Sequence, residues 1–262
     1  MVNDLLLPVL VTCIIFLTCP VEGVEDQKSK ALPEGIPHCR NVKDINICLK
    51  TAIEEMLPRL KDGDAVLNIP PLDPFFLEKS NYRYSRGNVQ GRLALRNLKI
   101  VGISSTVITK MDFKVTENGT KMTSEVFTPK ISTTGQYKAE FKFNDVKLQP
   151  KGNFNITMFG VSSQNVMEGE FIMNNTNRYL KLKEMNILAP NIEDMNIRVS
   201  GIFADPRLNA IFEDTANQYW RQLYKVLIPE TRQYWEPILV ALANEFLTTY
   251  PFEELISISK NN

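Results

Sequence analysis

The chain has 262 residues, with 30 Lys+Arg against 30 Asp+Glu and a single His. It is 44% hydrophobic and 23% charged, which excludes a chain disordered by composition and suits one large domain or two modest ones. A formal net charge of zero carries no signature of a nucleic-acid partner.

Leu5 to Leu17 is a near-continuous apolar run. It has the length of a signal-peptide core and is too short to span a bilayer comfortably. Val21 and Gly23 suit the −3 and −1 positions, so residues 1–23 are expected to be a signal peptide and 24–262 the mature domain. One feature runs against this: Asp4 and no Lys or Arg precede the run. The alternative is an N-terminal membrane anchor. Cleavage removes Asp4, Glu22, Cys13 and Cys19. Cys39 and Cys48 remain, an even count in an oxidising compartment, and are expected to pair. Closing so short a loop contributes roughly 2–3 kcal/mol in the chain-entropy model; the alternative is two free thiols. Their spacing beside His38 makes a poor zinc site, and no metal or cofactor is expected. Three sequons, at Asn118, Asn155 and Asn174, are glycosylation candidates on the same secreted, extracellular route. No second apolar run reaches membrane-spanning length, so the mature chain is not expected to be an integral membrane protein.

From Asp44 to Leu60, apolar residues recur at helical spacing, with Asp44 as N-cap and Pro58 and Gly63 at the exit. Pro70, Pro71 and Pro74 then force an extended, turn-rich path through Asn68–Phe76. From about 88 to 202 the period becomes two, clearest at 138–143, 153–158, 179–183 and 194–199, with earlier runs at 93–101, 107–115 and 122–127. Turn signals at Asn118-Gly119, Pro150–Gly152, Asn174-Asn175 and Ala189-Pro190 separate them. The pattern predicts an antiparallel meander with one apolar and one wet face. Basic residues such as Lys181 and Lys183 fit the wet face. Asp205-Pro206 starts a helix whose apolar stripe runs to Leu247 and stops near Pro251, with breaks or kinks expected at Pro229 and Pro237. Unbroken, residues 206–249 would span about 66 Å, longer than the ~45 Å diameter of a compact globule of this size. The sheet's apolar face needs a cover, and this helix is the large apolar element available. A strongly curved sheet around a long helix meets both demands.

The stretch from Leu32 to Arg40, the run Asp44–Leu49 with its Asn46 and Cys48, and Leu67–Phe75 closely resemble the N-terminal signature of the takeout and haemolymph juvenile-hormone-binding family of insects. The resemblance implies an α+β fold of the tubular lipid-binding (TULIP) type. In it, an elongated single domain wraps a strongly curved antiparallel β-sheet around a long C-terminal helix, with a short disulfide-tethered N-terminal helix. It implies an internal tunnel holding an apolar ligand, and Cys39 and Cys48 match the family's N-terminal disulfide. The hormone carriers have a second disulfide for which this mature chain has no cysteines, which places it nearer the takeout branch.

Large apolar and aromatic groups recur on the C-terminal helix. Phe212, Tyr219, Trp220, Tyr224, Trp235 and Phe246 are expected either to fill an ordinary core or, as the resemblance implies, to line the tunnel. Leu72, Phe75 and Phe76, with Met56 and Leu57 of the first helix, are expected near its mouth. The hydroxyls of Tyr219 or Tyr224 could orient a polar end. Catalysis finds no support. His38 has no nucleophile pattern beside it, Gly160–Gln164 lacks the second Gly of a nucleophile elbow, and neighbouring glutamates such as Glu54-Glu55 point apart on a helix. The expected function is therefore a non-enzymatic secreted carrier of a terpenoid or fatty acid. The rival is a protein-interaction or membrane-surface role, a secreted signal whose lipid is structural and whose partner could be a cell-surface receptor; a secreted hydrolase comes third.

Overall fold

The computed structural model describes residues 30–86, 89–143 and 146–258. The expected signal peptide, with Cys13 and Cys19, lies outside the described residues.

Helix α1 (Ile45–Arg59) forms where the three-and-four spacing placed it. The Asp44 carboxylate accepts from the N–H groups of Asn46 (2.9 Å) and Ile47 (3.1 Å), satisfying two donors that the first turn leaves open. The Cys39–Cys48 disulfide is formed and ties α1 to strand β1 (Cys39–Val42). After α1 the chain doubles back at Gly63, whose φ is +80°; a Cβ there would stand 2.8 Å from the backbone of Pro71. Only glycine fits both the angle and the approach.

One eight-stranded antiparallel sheet makes the body. Its strands are β2 (Phe75–Arg86), β3 (Val89–Val101), β4 (Val107–Val115), β5 (Gly119–Phe143), β6 (Val146–Leu148), β7 (Lys151–Asn174), β8 (Asn177–Asn191) and β9 (Asp194–Val199). The order is β2-β3-β5-β7-β8, with β4 and β6 also on β5 and β9 on β7. The long β5–β7 pair is a spine, and its neighbours change along its length. In the near half, β4 and β8 flank it; in the far half, β3, β2, β6 and β9 do. Pro129 marks the change. β4 pairs with β5 as far as Phe127, and β3 takes over from Ser132, so the missing proline N–H falls in a gap between partners.

The C-terminal part forms α2 (Pro206–Gln218) and α3 (Trp220–Leu247). The break falls at Tyr219, not at the expected prolines: α3 runs through Pro229 and Pro237. Pro237 is exposed in register with Ala241, Glu245 and Thr248, so the hydrogen bond it cannot make falls on the solvent side of the helix. Past Pro251, where the sequence pattern stops, α4 (Phe252–Leu255) leads into β10 (Ile256–Ile258). That strand pairs in parallel with β1, Cys39 opposite Ile256. The best-packed cluster sits here: Leu60, Leu67, Leu72, Phe113, Leu180, Tyr250, Phe252, Leu255 and Ile256, with Met56, Leu57, Phe246 and Leu247 against it. It plugs the near end of the curled sheet.

Helices cover every long edge of this sheet, and they bond to it. On β4, the N–H of Ile108 donates to Glu54 (2.9 Å) and that of Phe113 to Asn46 (2.8 Å). On β8, Asn244 takes the N–H and gives to the carbonyl of Leu182 (2.7 and 2.9 Å), while Glu236 accepts from Ile187 (3.1 Å). On β9, Asn217 holds Ile197 in the same two-bond manner (2.7 and 2.8 Å) and Glu213 accepts from Val199 (3.0 Å). On β2, the Tyr234 hydroxyl accepts from the N–H of Arg83 (3.1 Å) and donates to its carbonyl (3.3 Å). Unpaired edge groups are otherwise a template for other chains.

Candidate functional site

Register defines the inner wall, because opposed residues share a face. In the far half the rows are Tyr82, Leu93 and Ala139; Gly135, Phe154 and Val199; Thr133, Ile156 and Ile197; and Ile131, Met158 and Met195. In the near half Met122, Met167 and Met185 align, then Ser124, Asn165 and Ile187. The Tyr82 and Tyr234 rings, 4.8 Å apart, place α3 over this face. Opposite the solvent stripe of α3 lie Trp235, Ile238, Leu239, Leu242 and Phe246.

Both walls are apolar, yet most of their side chains are only half-buried. Leu93, Leu95, Ile131, Phe154, Ile156, Met158, Met167 and Met185 on the sheet keep residual exposure, as do Trp235, Ile238 and Leu239 on the helix. A packed core removes such exposure. The two apolar walls thus face each other beneath α3 without being fully buried, and the plug closes the near end.

A polar stripe crosses the inner wall near the plug: Thr120, Ser124, Thr128 and Asn165 are all buried, Ser124 to 3% exposure. Thr128 shares a hydrogen bond with Thr106 (2.8 Å), and Asn165 accepts from the Ser163 hydroxyl (3.2 Å). The alternation of Met122, Ser124, Val126 and Thr128 on one face carries this stripe in the sequence.

The expected lining residues scatter. Met56, Leu57, Leu72 and Phe246 belong to the plug or pack on it, so the end expected to hold the mouth is the most closed part. Phe75 is buried and faces inward opposite Ile100, whereas Phe76 opposes Lys99 on the outer face and is 51% exposed; adjacent residues of a strand cannot share a face. Phe212 and Tyr219 are exposed on the surface of α2 and its junction. Trp220 is buried, with the Arg221 guanidinium 4.4 Å from its ring centre. Tyr224 and Trp235 are half-buried on α3. Among the sequons, Asn118 and Asn174 are exposed at turns, while Asn155 is half-buried in mid-strand and accepts from Ser132 and Thr157. Two grooves, of about 470 Å³ at the far tip and about 490 Å³ beside Phe127 and Leu188, contain none of the expected lining residues.

The Tyr224 hydroxyl donates to the Pro190 carbonyl (3.4 Å), and burial pushes its pKa up to about 12. The proton is held more tightly folded than unfolded, so its stabilisation is intact below pH 10 and is lost as pH rises toward 12. Ultraviolet titration of Tyr224→Phe is expected to lack the last phenolate transition of the wild type; an unchanged titration would place that transition elsewhere.

A curled antiparallel sheet, hydrogen-bonded at its edges by helices that turn an apolar face toward it, has the form of a hydrophobic-ligand-binding protein. The family model for haemolymph juvenile hormone binding protein matches residues 10–257, and the chain belongs to that family. Its fold is that of Takeout 1 from Epiphyas postvittana: TM-score 0.64 at 16% identity, covering 84% of this chain and 99% of that one. A lipopolysaccharide binding protein aligns at a TM-score of 0.34 and 17% identity, over 76% of this chain and 39% of its own. No curated protein matches as a relative. Among the described residues, no helix is long and apolar enough to cross a membrane, and no three potential metal ligands cluster.

Proposed function

We propose that this protein is a secreted, non-enzymatic carrier, nearer the takeout branch of its family, which holds an elongated apolar molecule such as a fatty acid or terpenoid in the trough beneath α3. The supporting observation is the pair of half-exposed apolar walls between hydrogen-bonded edges. Family membership supports binding of a hydrophobic molecule; the cargo remains for the experiment to name. Burying a chain of about 15 carbons at ~0.8 kcal/mol each gives a gross ~12 kcal/mol. Association and ordering costs offset several kcal/mol of this, leaving micromolar to nanomolar affinity.

The two tryptophans make a test. A fluorescent fatty-acid probe is expected to bind in the micromolar range or tighter and to take energy from Trp235. Trp235→Phe should remove most of that transfer, and Trp220→Phe should leave most of it. Native mass spectrometry of protein from its source then names the displaced cargo. A wild-type protein that takes up no probe and carries no apolar adduct sinks the carrier reading.

A further inference from the structure

The net charge of zero hides a segregation that only the strand register reveals. On the outer face of the far half, four pairs of cations stand directly opposite one another across neighbouring strands. They are Lys79 and Arg96, Arg83 and Arg92, Lys142 and Lys147, and Lys138 and Lys151. All eight are exposed, and none joins an ion pair among the described residues. Arg198 on β9 extends the same face. The carboxylates there are few: the exposed Glu78 beside Lys79, Glu140 opposite Arg92, and Asp194 at the β9 edge. The near half is built differently. Lys110 pairs with Glu125, Lys114 with Asp112, Lys121 with Glu168 and Lys183 with Glu170.

Like charges directly opposite across strands destabilise a sheet, and side chains this close lie inside the screening length of physiological salt. Four such pairs on one face are a stability cost that a binding partner can offset. At the tip of this face the inner-facing Phe141 and Leu148 are 39% and 53% exposed. They line the groove of about 470 Å³ together with Arg83, Arg92, Lys142 and Lys147, four cations against the single carboxylate of Glu140. A polysaccharide would use the charge and leave the apolar tip wet. A bilayer uses both, with phosphate and serine headgroups against the cations and acyl chains against Phe141 and Leu148.

We infer that the far outer face and its tip form a docking surface for a membrane rich in anionic phospholipid. The surface does not depend on the cargo, so the test uses the full mature chain without added ligand. Flotation is measured with vesicles of phosphatidylcholine alone and with about a third phosphatidylserine. The wild type is expected to float with the anionic vesicles only. The variant Arg83→Ala/Arg92→Ala/Lys142→Ala/Lys147→Ala should lose partitioning on the order of a hundredfold while melting no lower than the wild type, since like-charge repulsion is relieved. The matched variant Lys110→Ala/Lys114→Ala/Lys121→Ala/Lys183→Ala should retain wild-type partitioning. Phe141→Ala/Leu148→Ala should weaken vesicle binding and leave heparin binding unchanged. Three results overturn the inference: equal binding to both vesicle types, equal loss in both quadruple variants, or retention on heparin with no vesicle binding.

Discussion

Asn244→Leu is expected to lower the melting temperature by about 6–12 °C. The Asn244 amide is the partner of both backbone groups of Leu182 on the free side of β8, and Leu182 is buried. Leucine fills a similar volume but leaves a buried donor and acceptor without partners, at about 1–3 kcal/mol each; a combined loss of about 3 kcal/mol converts to the stated shift at ~2–4 °C per kcal/mol for a chain of this size. Hydrogen exchange gives the local readout: the Leu182 amide should lose protection while β5 and β7 keep theirs. Asn217 makes the same two bonds to Ile197 on β9, so Asn217→Leu should act in the same direction and add to Asn244→Leu, since the two share no partner. Exposed Ala241→Ser serves as the control and should shift stability little. An unaltered melting temperature with an unprotected Leu182 in the wild type would mean that water, not Asn244, satisfies this edge.

That expectation draws on the way the helices relate to the sheet. Asn46 and Glu54 of α1, Glu213 and Asn217 of α2, and Tyr234, Glu236 and Asn244 of α3 all spend their polar groups on strand backbone. The same helices can then leave apolar side chains facing the inner wall without having to fill the space to hold the sheet shut. Edge hydrogen bonds thus supply closure that core packing supplies elsewhere, which makes the proposed trough compatible with a stable frame.

These helical residues show why some of the molecule was legible in the sequence and some was not. Three-and-four spacing marked α1, and Asp44 and Asp205 marked two helix starts, because those signals are local. Period-two alternation marked the meander and its two faces. It did not reveal that β5 is one strand from Gly119 to Phe143: Pro129 reads as a break unless the partner strands are known to change beside it. The same non-locality hid the parallel pairing of β10 with β1, the outward direction of Phe76, and the bonding of Asn244 to a strand some sixty residues away in sequence. The charge segregation was hidden for this reason as well, since Lys142 faces Lys147, and Lys79 faces Arg96, only in a given register. Composition averages over all such pairs.

The trough itself is best tested by filling it. Ile156 sits on the inner wall between Thr133 and Ile197 and is half-buried. In a packed interior, Ile156→Trp would force neighbours off their rotamers and cost about 1–3 kcal/mol or more. In a trough, the indole enters space that the ligand would otherwise occupy. The melting temperature of the ligand-free protein should then hold or rise, because added apolar surface is buried, while affinity for a fatty-acid probe falls at least about tenfold, a loss of ~1.4 kcal/mol or more. Ile156→Ala gives the opposite sign: a modest loss of stability with binding retained. Two quantities thus move independently, which separates a blocked site from a damaged fold. A sharp drop in melting temperature for Ile156→Trp, with probe affinity preserved, would show that this stretch of the wall is core and that any ligand binds elsewhere.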